Sequence, residues 1–328
     1  MDFSLSDEQK MVRDTARSLF GQECTLELVH AAWADRGAAT PLWDDHLSQW
    51  MELAGSDVTD LILFMEEHGH AAAPSQFFAS LLAAQAAAAA DLEIAGSATI
   101  AISARDGLWT ANGGETKYFV PSAADVDRIV VVGGSPAAPT IAVVEAADMD
   151  AVEIDQMDRL RPMYRVTLDP ALAGRPVAPA ALAHAIERAL VTVSAELIGV
   201  GRRLLDMSVE YARERVQFDR PIGSFQGLQW ELVDAALDLE RAAAAVAYAA
   251  MCVDTDDPNR HRAVHGAKAE AGLAARRCAR TGMQVHGGIG YTFEHGLHFW
   301  LRRAYAADAF MGPSGYHHDR VAELLFDG

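Results

Sequence analysis

Two short segments in the C-terminal half of the chain carry the residues best suited to hold an anionic ligand. The first runs from Arg215 to Gln226 and reads RVQFDRPIGSFQ, with a proline and a glycine breaking the chain between two helical stretches. A guanidinium at the end of one helix, beside the free N–H groups at the start of the next, can clamp a pyrophosphate. Phe218 and Phe225 could give apolar walls to an aromatic ring, and Gln226 could bond its polar atoms. An ordinary helix–turn–helix with a solvated arginine is the alternative.

The second segment runs from Gln284 to Glu294 and reads QVHGGIGYTFE. Its paired glycines permit a positive φ or the close approach of a ligand to the backbone. The segment does not follow a strand, which excludes a Rossmann dinucleotide motif. A glycine C-cap followed by a turn would produce the same letters, so this segment alone leaves both interpretations open.

The elements that must position these segments are mainly helical. Ser6 and Gln9 have capping-box spacing before a run of apolar residues at helical intervals. Short alternating runs separated by turn residues predict a small antiparallel β-domain in the middle of the chain. We therefore expect a mainly α protein with an N-terminal helical domain over 1–92, a shortened β-domain over 93–175, and a C-terminal four-helix bundle over 176–328. The bundle helices are predicted at 182–217, 226–253, 258–283 and 295–311.

The charge of the chain excludes several classes of partner. It has 27 Lys and Arg against 46 Asp and Glu, a formal net charge of −19. Such a surface repels nucleic acid and other polyanions. A ligand phosphate would need a local basic exception, and the clustered candidates are Arg276, Arg277, Arg280, Arg302 and Arg303.

Cysteine usage and the chain start indicate the compartment. The three cysteines have no CxxC spacing and no even-numbered disulfide pattern. The first residues lack the basic start and apolar run of a signal peptide. The apolar stretch at 78–90 is too short to span a bilayer. We expect a soluble cytoplasmic protein with no membrane partner.

The histidines near the end of the chain do not predict a metal site. His295 and His298 could share a helix face, and His317 adjoins His318. A zinc site needs a third or fourth ligand and a closed shell. Solvated or core histidines are expected instead, and no metal is predicted.

The two segments, in this order within an α–β–α chain, resemble the signatures of the acyl-CoA dehydrogenase family. The RVQF letters with the following Ile222 and Gln226 match its RxxFxxxI…Q signature, and 284–294 matches QxxGGxGYxxE. The segment 66–74, EEHGHAAAP, resembles its EELG…AAAP segment. The resemblance covers nearly the whole chain and implies the α–β–α fold of that family.

This resemblance implies an FAD-dependent oxidation of an acyl-CoA to its trans-2-enoyl form, with an electron-transfer acceptor for the reduced flavin. In the family, the two signatures contact the pyrophosphate and adenosine portions of FAD across a subunit interface. A bound FAD therefore implies a dimer or a larger assembly. By resemblance, the FAD-binding residues are Arg215, Gln217, Phe218, Phe225, Gln226, Gln284, Gly287 and Gly288.

The catalytic glutamate of the family has no counterpart at its usual place, where this chain carries Met311. Some members place the glutamate near the end of the helix that follows the first signature. There the aligned residue is Thr255, flanked by Asp254 and Asp256. Asp254 is a weak candidate for a shifted base, because aspartates in turns before proline are usually solvated caps. Glu294 is a weaker candidate, since its family position is structural.

A second departure lies in the β-domain. The family's Thr-Glu-Pro…Gly-Ser-Asp loop, which touches the flavin ring and the acyl chain, is missing between Ser103 and Asp106. With the catalytic glutamate and this loop both missing, the chain resembles the shorter subunit of actinobacterial α2β2 acyl-CoA dehydrogenases that act on steroid-CoA thioesters. On that interpretation a longer partner supplies the base and the loop. The alternatives are a homomeric dehydrogenase with a relocated carboxylate and a structural partner that binds no flavin.

Overall fold

A computed structural model describes residues 4–326, so the first three and last two residues of the predicted outer domains lie outside the described residues. Short 3-10 and π turns occupy the stretch between Arg36 and Ala54. The capping box at Ser6 is confirmed, because its hydroxyl accepts a bond from the Gln9 N–H and the Gln9 side chain accepts one from the Ser6 N–H. The N-terminal region contains four α-helices: α1 (Asp7–Glu23), α2 (Leu26–Ala34), α3 (Val58–His70) and α4 (Phe77–Ala88).

Seven strands follow and form two sheets, in the orders β1-β3-β4-β7 and β2-β6-β5. The predicted antiparallel pairing holds for all of these pairs except β1 and β3, which are parallel. The chain leaves the first sheet to form β2 in the second, and this crossover returns β3 in the same direction as β1. The strands are β1 (Ala98–Ala101), β2 (Thr116–Pro121), β3 (Arg128–Ser135), β4 (Ala138–Glu145), β5 (Asp150–Ile154), β6 (Met163–Thr167) and β7 (Arg175–Pro176).

Strand β3 belongs to two hydrophobic cores at once. Val130 and Val132 are buried in the main core, which is shared with the helices. Ile129 and Val131 are buried in a smaller core between the sheets. Because successive side chains of a strand point to opposite faces, an unbroken apolar run can serve both cores.

The C-terminal region is helical again. The four predicted helices are present, and a fifth, α9, follows where no helix was predicted. A hairpin of two-residue strands, β8 (Val216–Gln217) and β9 (Arg220–Pro221), lies between the first two helices. The helices are α5 (Pro179–Glu214), α6 (Gln226–Asp254), α7 (Arg260–His286), α8 (Leu297–Ala309) and α9 (Ser314–Phe326).

Helices α3 and α5 cross with their backbones in contact. A Cβ added at Gly199 would lie 1.8 Å from the Glu66 carbonyl oxygen, and one at Gly69 would lie 2.1 Å from the Glu196 carbonyl oxygen. Only glycine permits so close a crossing. The contact joins the N-terminal helices to the C-terminal bundle. Whether the domain boundaries fall at 92 and 175 stays a prediction.

None of the helices within residues 4–326 is both long and apolar enough to cross a membrane.

Candidate active site

The first segment forms a hairpin that extends from the end of α5. Arg215 is the C-cap residue of α5, and its carbonyl accepts a hydrogen bond from the Ile222 N–H at 2.8 Å. At the tip, Phe218 and Asp219 have φ angles of +54° and +64°. Two consecutive positive φ angles are typical of a type I′ turn, which favours glycine and asparagine. The Phe218 side chain is 86% exposed, and a strained backbone that displays an aromatic ring points to a binding role.

The polar groups of this segment face outward. Arg215 is exposed, and within residues 4–326 no carboxylate forms an ion pair with it. Helix α6 begins at Gln226, and its N-cap residue, Phe225, makes no side-chain capping bond. The N–H groups at an uncapped helix start carry a partial positive charge. An unpaired guanidinium and an open helix start in one segment suit an anionic ligand.

Two aromatic rings of the segment contact each other. The Phe218 and Phe225 ring centroids lie 6.0 Å apart in an edge-to-face arrangement. The Arg220 guanidinium lies 4.1 Å from the Phe225 ring centroid, a cation–π contact. Arg220 was not among the predicted site residues, because only the hairpin turn brings it over that ring. The Gln217 amide donates to the neighbouring Val216 carbonyl at 2.8 Å.

The second segment forms the end of α7 and the turn after it. Gly287 is the C-cap residue and has a φ of +57°, so its backbone itself requires glycine. A Cβ added at Gly287 or at Gly288 would meet no atom within 4 Å. No crowding inside the chain therefore explains Gly288. Both positions leave the backbone open to another molecule. Gln284 is exposed one turn earlier on α7.

The structure brings the two segments together. Tyr211, one turn before Arg215 on α5, stacks on His286, the last residue of α7, with ring centroids 4.7 Å apart. Of the eight predicted FAD-binding residues, none is buried. This exposed arrangement offers a cation, open backbone N–H groups, aromatic rings and unobstructed glycines. It suits a ligand that has both anionic and aromatic parts.

Met311 lies in a different environment from the first and second segments. Its side chain is 3% exposed and belongs to the main hydrophobic core. The preceding residue, Phe310, contacts the rings of Phe78 and Trp109 at centroid distances of 5.8 and 5.6 Å. A thioether in an apolar cluster cannot accept a proton, so this position offers no base.

The turn that holds Met311 is fixed by buried polar contacts. The Lys268 ammonium donates to the carbonyls of Asp308 and Gly312 at 2.8 and 3.2 Å. Burial lowers the pKa of Lys268 to about 8. The Asp308 carboxylate pairs with Arg276 at 3.1 Å and accepts bonds from Ser314. Asp308 is therefore already paired and capping, although it lies close to the usual base position in sequence.

The carboxylate of Asp254 has a structural partner. It accepts hydrogen bonds from the N–H groups of Val58 at 2.7 Å and Thr59 at 3.0 Å, which begin α3. The N-cap residue of that helix, Asp57, makes no side-chain capping bond of its own. Asp254 thus acts as the cap of α3. Glu294 is exposed in the turn before α8.

The histidines lie in separate clusters. His295 packs on His286 at 4.6 Å, whereas His298 contacts the Phe293 and Phe299 rings at 4.8 and 4.1 Å. Over residues 4–326, no three metal-ligating side chains converge. Elsewhere, His317 contacts His265 and His318 approaches Glu270.

Most of the predicted basic clusters are engaged within the chain. Arg277 pairs with Asp234 and Asp238, and Arg303 is buried against Asp158 and Glu196. Arg280 differs, because it is exposed on α7 four residues before Gln284. Four residues make about one helical turn, so both side chains lie on one face of the helix. Arg280 is therefore a second cation beside the second segment.

The chain is similar to known proteins along nearly its whole length. The model of the family described as "Acyl-CoA dehydrogenase, C-terminal domain" matches residues 174–326. Acyl-CoA dehydrogenase IpdE2 of Mycobacterium tuberculosis is 31% identical over 319 residues, which are 92% of this chain and 92% of that protein. Several solved structures share the fold, including the two that follow. The ChsE4-ChsE5 complex from Mycobacterium tuberculosis has a TM-score of 0.84 and 24% identity over 99% of both chains.

The second structure is a variant of the Tcur3481-Tcur3483 steroid ACAD, with a TM-score of 0.83 and 23% identity over 99% of both chains. Three observations point to the same family. They are the shared fold, the two signatures at the C-terminal ends of α5 and α7, and a relative that matches over nearly its full length. The chain belongs to the acyl-CoA dehydrogenase family.

Proposed function

We propose that this chain is the shorter subunit of a heteromeric α2β2 acyl-CoA dehydrogenase and that its longer partner supplies the catalytic base. As a member of its family, the chain is an oxidoreductase that uses FAD. One contrast carries the proposal: the predicted FAD-binding residues are on the surface, whereas the usual base position holds Met311 in the hydrophobic core. Such a chain can contribute to a flavin site but cannot complete the chemistry.

The chain's own residues would hold one side of the flavin. Arg215 and the open N–H groups at the start of α6 would bind the pyrophosphate through charge-assisted hydrogen bonds. The Phe218 and Phe225 rings and the Gln226 amide would contact the aromatic and polar atoms of the adenosine portion. The open backbone at Gly287 would let the cofactor approach closely. When bound, FAD would supply the hydride-accepting chemistry that removal of the β-hydrogen requires.

Removal of the α-proton requires a carboxylate whose pKa is raised by desolvation. Met311 cannot act in this way, and Asp254 accepts two backbone N–H bonds at the start of α3. These bonds engage both carboxylate oxygens of Asp254 in the cap of that helix. The base is therefore assigned to the partner subunit.

We also propose a bulky, steroid-derived acyl-CoA as the substrate. The sequence between Ser103 and Asp106 lacks the family's loop over the acyl chain, and the absence of that loop would leave room for a polycyclic group. One of the two similar structures is a steroid ACAD, and the other is a two-component complex. An electron-transfer acceptor would reoxidise the flavin.

Co-expression with the protein of the neighbouring gene tests the proposal. The complex should purify with bound flavin and oxidise a steroid-CoA thioester, measured with a dye acceptor. Arg215→Ala should lower the flavin content of the complex at least several-fold, since a charge-assisted contact is lost. Met311→Leu, a volume-conserving change, should leave the turnover within about twofold, since core swaps of equal volume are tolerated.

Each alternative has its own signature in this experiment. Yellow, active protein from the chain alone would support a homomeric enzyme that uses a relocated carboxylate. A colourless complex would support a structural partner without flavin. If Arg215→Ala leaves the flavin content of the complex unchanged, the proposal of a shared flavin site is contradicted.

A further inference from the structure

We propose that Tyr211, His286 and His295 are positioning residues, forming a ring stack that holds the two FAD-binding segments in register. The inference rests on the proposed function, because it concerns how this chain presents its half of the flavin site. The three rings come from three elements: α5, the end of α7, and the turn before α8. None of them belongs to the predicted set of cofactor contacts.

On the α5 side, the stack begins where the first segment is anchored. The Tyr211 carbonyl accepts the Arg215 N–H at 2.9 Å, which closes the last turn of the helix. The next residue, Ala212, lies under Gly223, where an added Cβ would be 2.9 Å from the Ala212 carbonyl oxygen. The hairpin is therefore seated directly on this turn. Any movement of the Tyr211 turn would carry Arg215 with it.

On the α7 side, the stack ends one residue before the second segment. The His286 ring is 4% exposed, and its Nδ1 lies 2.7 Å from the Gly282 carbonyl oxygen, to which it must donate. This bond fixes the ring against its own helix. Gly287 follows immediately with a φ of +57°. The orientation of His286 thus sets where the glycine turn leaves α7.

The two rings face each other closely. The interplanar angle between Tyr211 and His286 is 23° at a centroid distance of 4.7 Å, which is a stacked pair. His295 meets both rings by an edge, at 6.3 Å from Tyr211 and 4.6 Å from His286. A stacked pair held by the edge of a third ring limits sliding of α5 against α7. The stack therefore joins both FAD-binding segments through side chains alone.

The electrostatics of the cluster agree with uncharged rings. Burial lowers the pKa of His286, and the neighbouring His295 lowers it further. Burial also lowers the pKa of His295. Two cationic imidazoles this close would repel each other and spread the stack. Neutral rings keep the contact apolar and leave the positive charge of the site to its arginines.

The chain offers a matched control for the loss of such a contact. Tyr316 meets His317 at a ring centroid distance of 5.2 Å, and His317 bonds to His265 near the start of α7. Twenty-one residues separate His265 from His286, which is about 32 Å along a helix at 1.5 Å per residue. Tyr316→Leu therefore removes a tyrosine–histidine ring contact at the opposite end of the bundle.

The experiment measures the FAD dissociation constant and the visible circular dichroism of the flavin in the complex. The variants are Tyr211→Leu, Tyr211→Phe, His286→Ala, His286→Phe, Tyr316→Leu and Arg215→Ala. Tyr211→Leu and His286→Ala should weaken FAD binding about 10-fold or more, because small misplacements of positioned groups are costly. The same two variants should also change the visible circular dichroism of the bound flavin. Their Tm should be no lower than that of Tyr316→Leu, so the effect is not a general loss of stability. Tyr211→Phe and His286→Phe, which keep a ring, should restore most of the affinity.

The outcomes separate this inference from the proposed function. If Arg215→Ala weakens FAD binding while Tyr211→Leu and His286→Ala bind like Tyr316→Leu, the stack has no positioning role and the shared site stands. If the ring-keeping variants bind as weakly as the ring-deleting ones, the inference is likewise overturned. If Arg215→Ala has no effect, the flavin lies elsewhere and both proposals fall.

Discussion

The Asp254 carboxylate binds the first two N–H groups of α3, although Val58 lies 196 positions away in the sequence. The local letters show only an acidic turn before a proline. Those letters fit both a catalytic carboxylate and a capping one. The N–H groups that Asp254 caps belong to a distant part of the chain, so no local sequence pattern could reveal this contact.

Replacing Asp254 distinguishes the two roles. Asp254→Ala should lower the free energy of unfolding by about 1 kcal/mol, as measured for lost N-caps. The turnover of the complex should not change, because no proton passes through this group. Asp256→Ala is the neighbouring control, since the exposed Asp256 carboxylate pairs with Arg260, whereas the N–H groups of α3 are bound by Asp254. A fall in turnover of 100-fold or so, typical for a lost general base, would return Asp254 to the active site.

The His265 and His317 pair gives the protein an acid-sensitive point. Their Nδ1 atoms lie 2.7 Å apart, and the His317 side chain is fully buried. Burial lowers the pKa of His265 to about 4 and that of His317 to about 3. In the unfolded chain the histidine pKa is about 6.5. Between that pH and the native pKa values, the unfolded state therefore binds more protons than the native state.

The free energy of unfolding should therefore fall as the pH drops from about 6.5 towards 4. The slope from His317 alone approaches about 1.4 kcal/mol per pH unit, the value for one proton. Denaturant unfolding at several pH values measures it, and His317→Leu should make the slope shallower. His318→Leu, at an exposed neighbour, should leave it unchanged. Equal slopes in the native protein and in His317→Leu would contradict this assignment.

At the scale of elements, the crossing of α3 and α5 depends on two glycines. Gly199→Ala should destabilise the protein by about 3 kcal/mol or more, because its Cβ would overlap the Glu66 carbonyl oxygen. Gly266→Ala is the control, since it lies within α7 with nothing within 4 Å of an added Cβ. That change should stabilise the helix by about 0.5 to 1 kcal/mol. Thermal unfolding of both variants checks the pair, and similar Tm shifts would contradict the close crossing.

Helices and their order were predictable because local patterns determine them. The capping box at Ser6 and the four long bundle helices follow from apolar periodicity and breaking residues. The parallel pairing of β1 with β3 was not predictable, since it depends on a crossover between two sheets. Helix α9 was also missed. Its first residue, Ser314, donates its N–H to the buried Asp308 carboxylate. This contact depends on the packing of the chain and not on a local sequence pattern.

The candidate site was predictable in part for the same reason. Its two segments have distinctive letters, but their meeting depends on the stack of Tyr211 on His286. Arg220 was missed because a turn with two positive φ angles brings it over the Phe225 ring. Local sequence identifies such segments, whereas their mutual placement comes from packing.

At the scale of the whole molecule, a buried ion network ties the three regions together. Glu196 on α5 accepts bonds from Arg161, in the loop before β6, and from Arg303 on α8. His68 on α3 lies 3.1 Å from the same carboxylate. Burial opposes its ionisation, but the Arg161 and Arg303 guanidiniums and His68 hold the pKa of Glu196 well below its usual range. Asp158 pairs with Arg303 and balances the second charge.

Removing the central charge should weaken the whole molecule rather than one region. Glu196→Gln should cost about 3 to 5 kcal/mol, because it leaves two buried guanidiniums with one carboxylate. Glu153→Gln is the control, since it breaks only the exposed pair with Arg36 and should cost less than about 1 kcal/mol. Denaturant unfolding followed by fluorescence and circular dichroism should show coincident loss. A loss confined to one region would contradict the joining role of Glu196.

The double use of β3 limits how this protein can be divided. A fragment cut near residues 92 and 175 would expose Val130 and Val132, the face that now lies in the main core. An exposed apolar strand face pairs readily with other chains and promotes aggregation. The β region is therefore not an interchangeable module that recombination could transplant between relatives. Its sequence can change only in step with the helices packed against it.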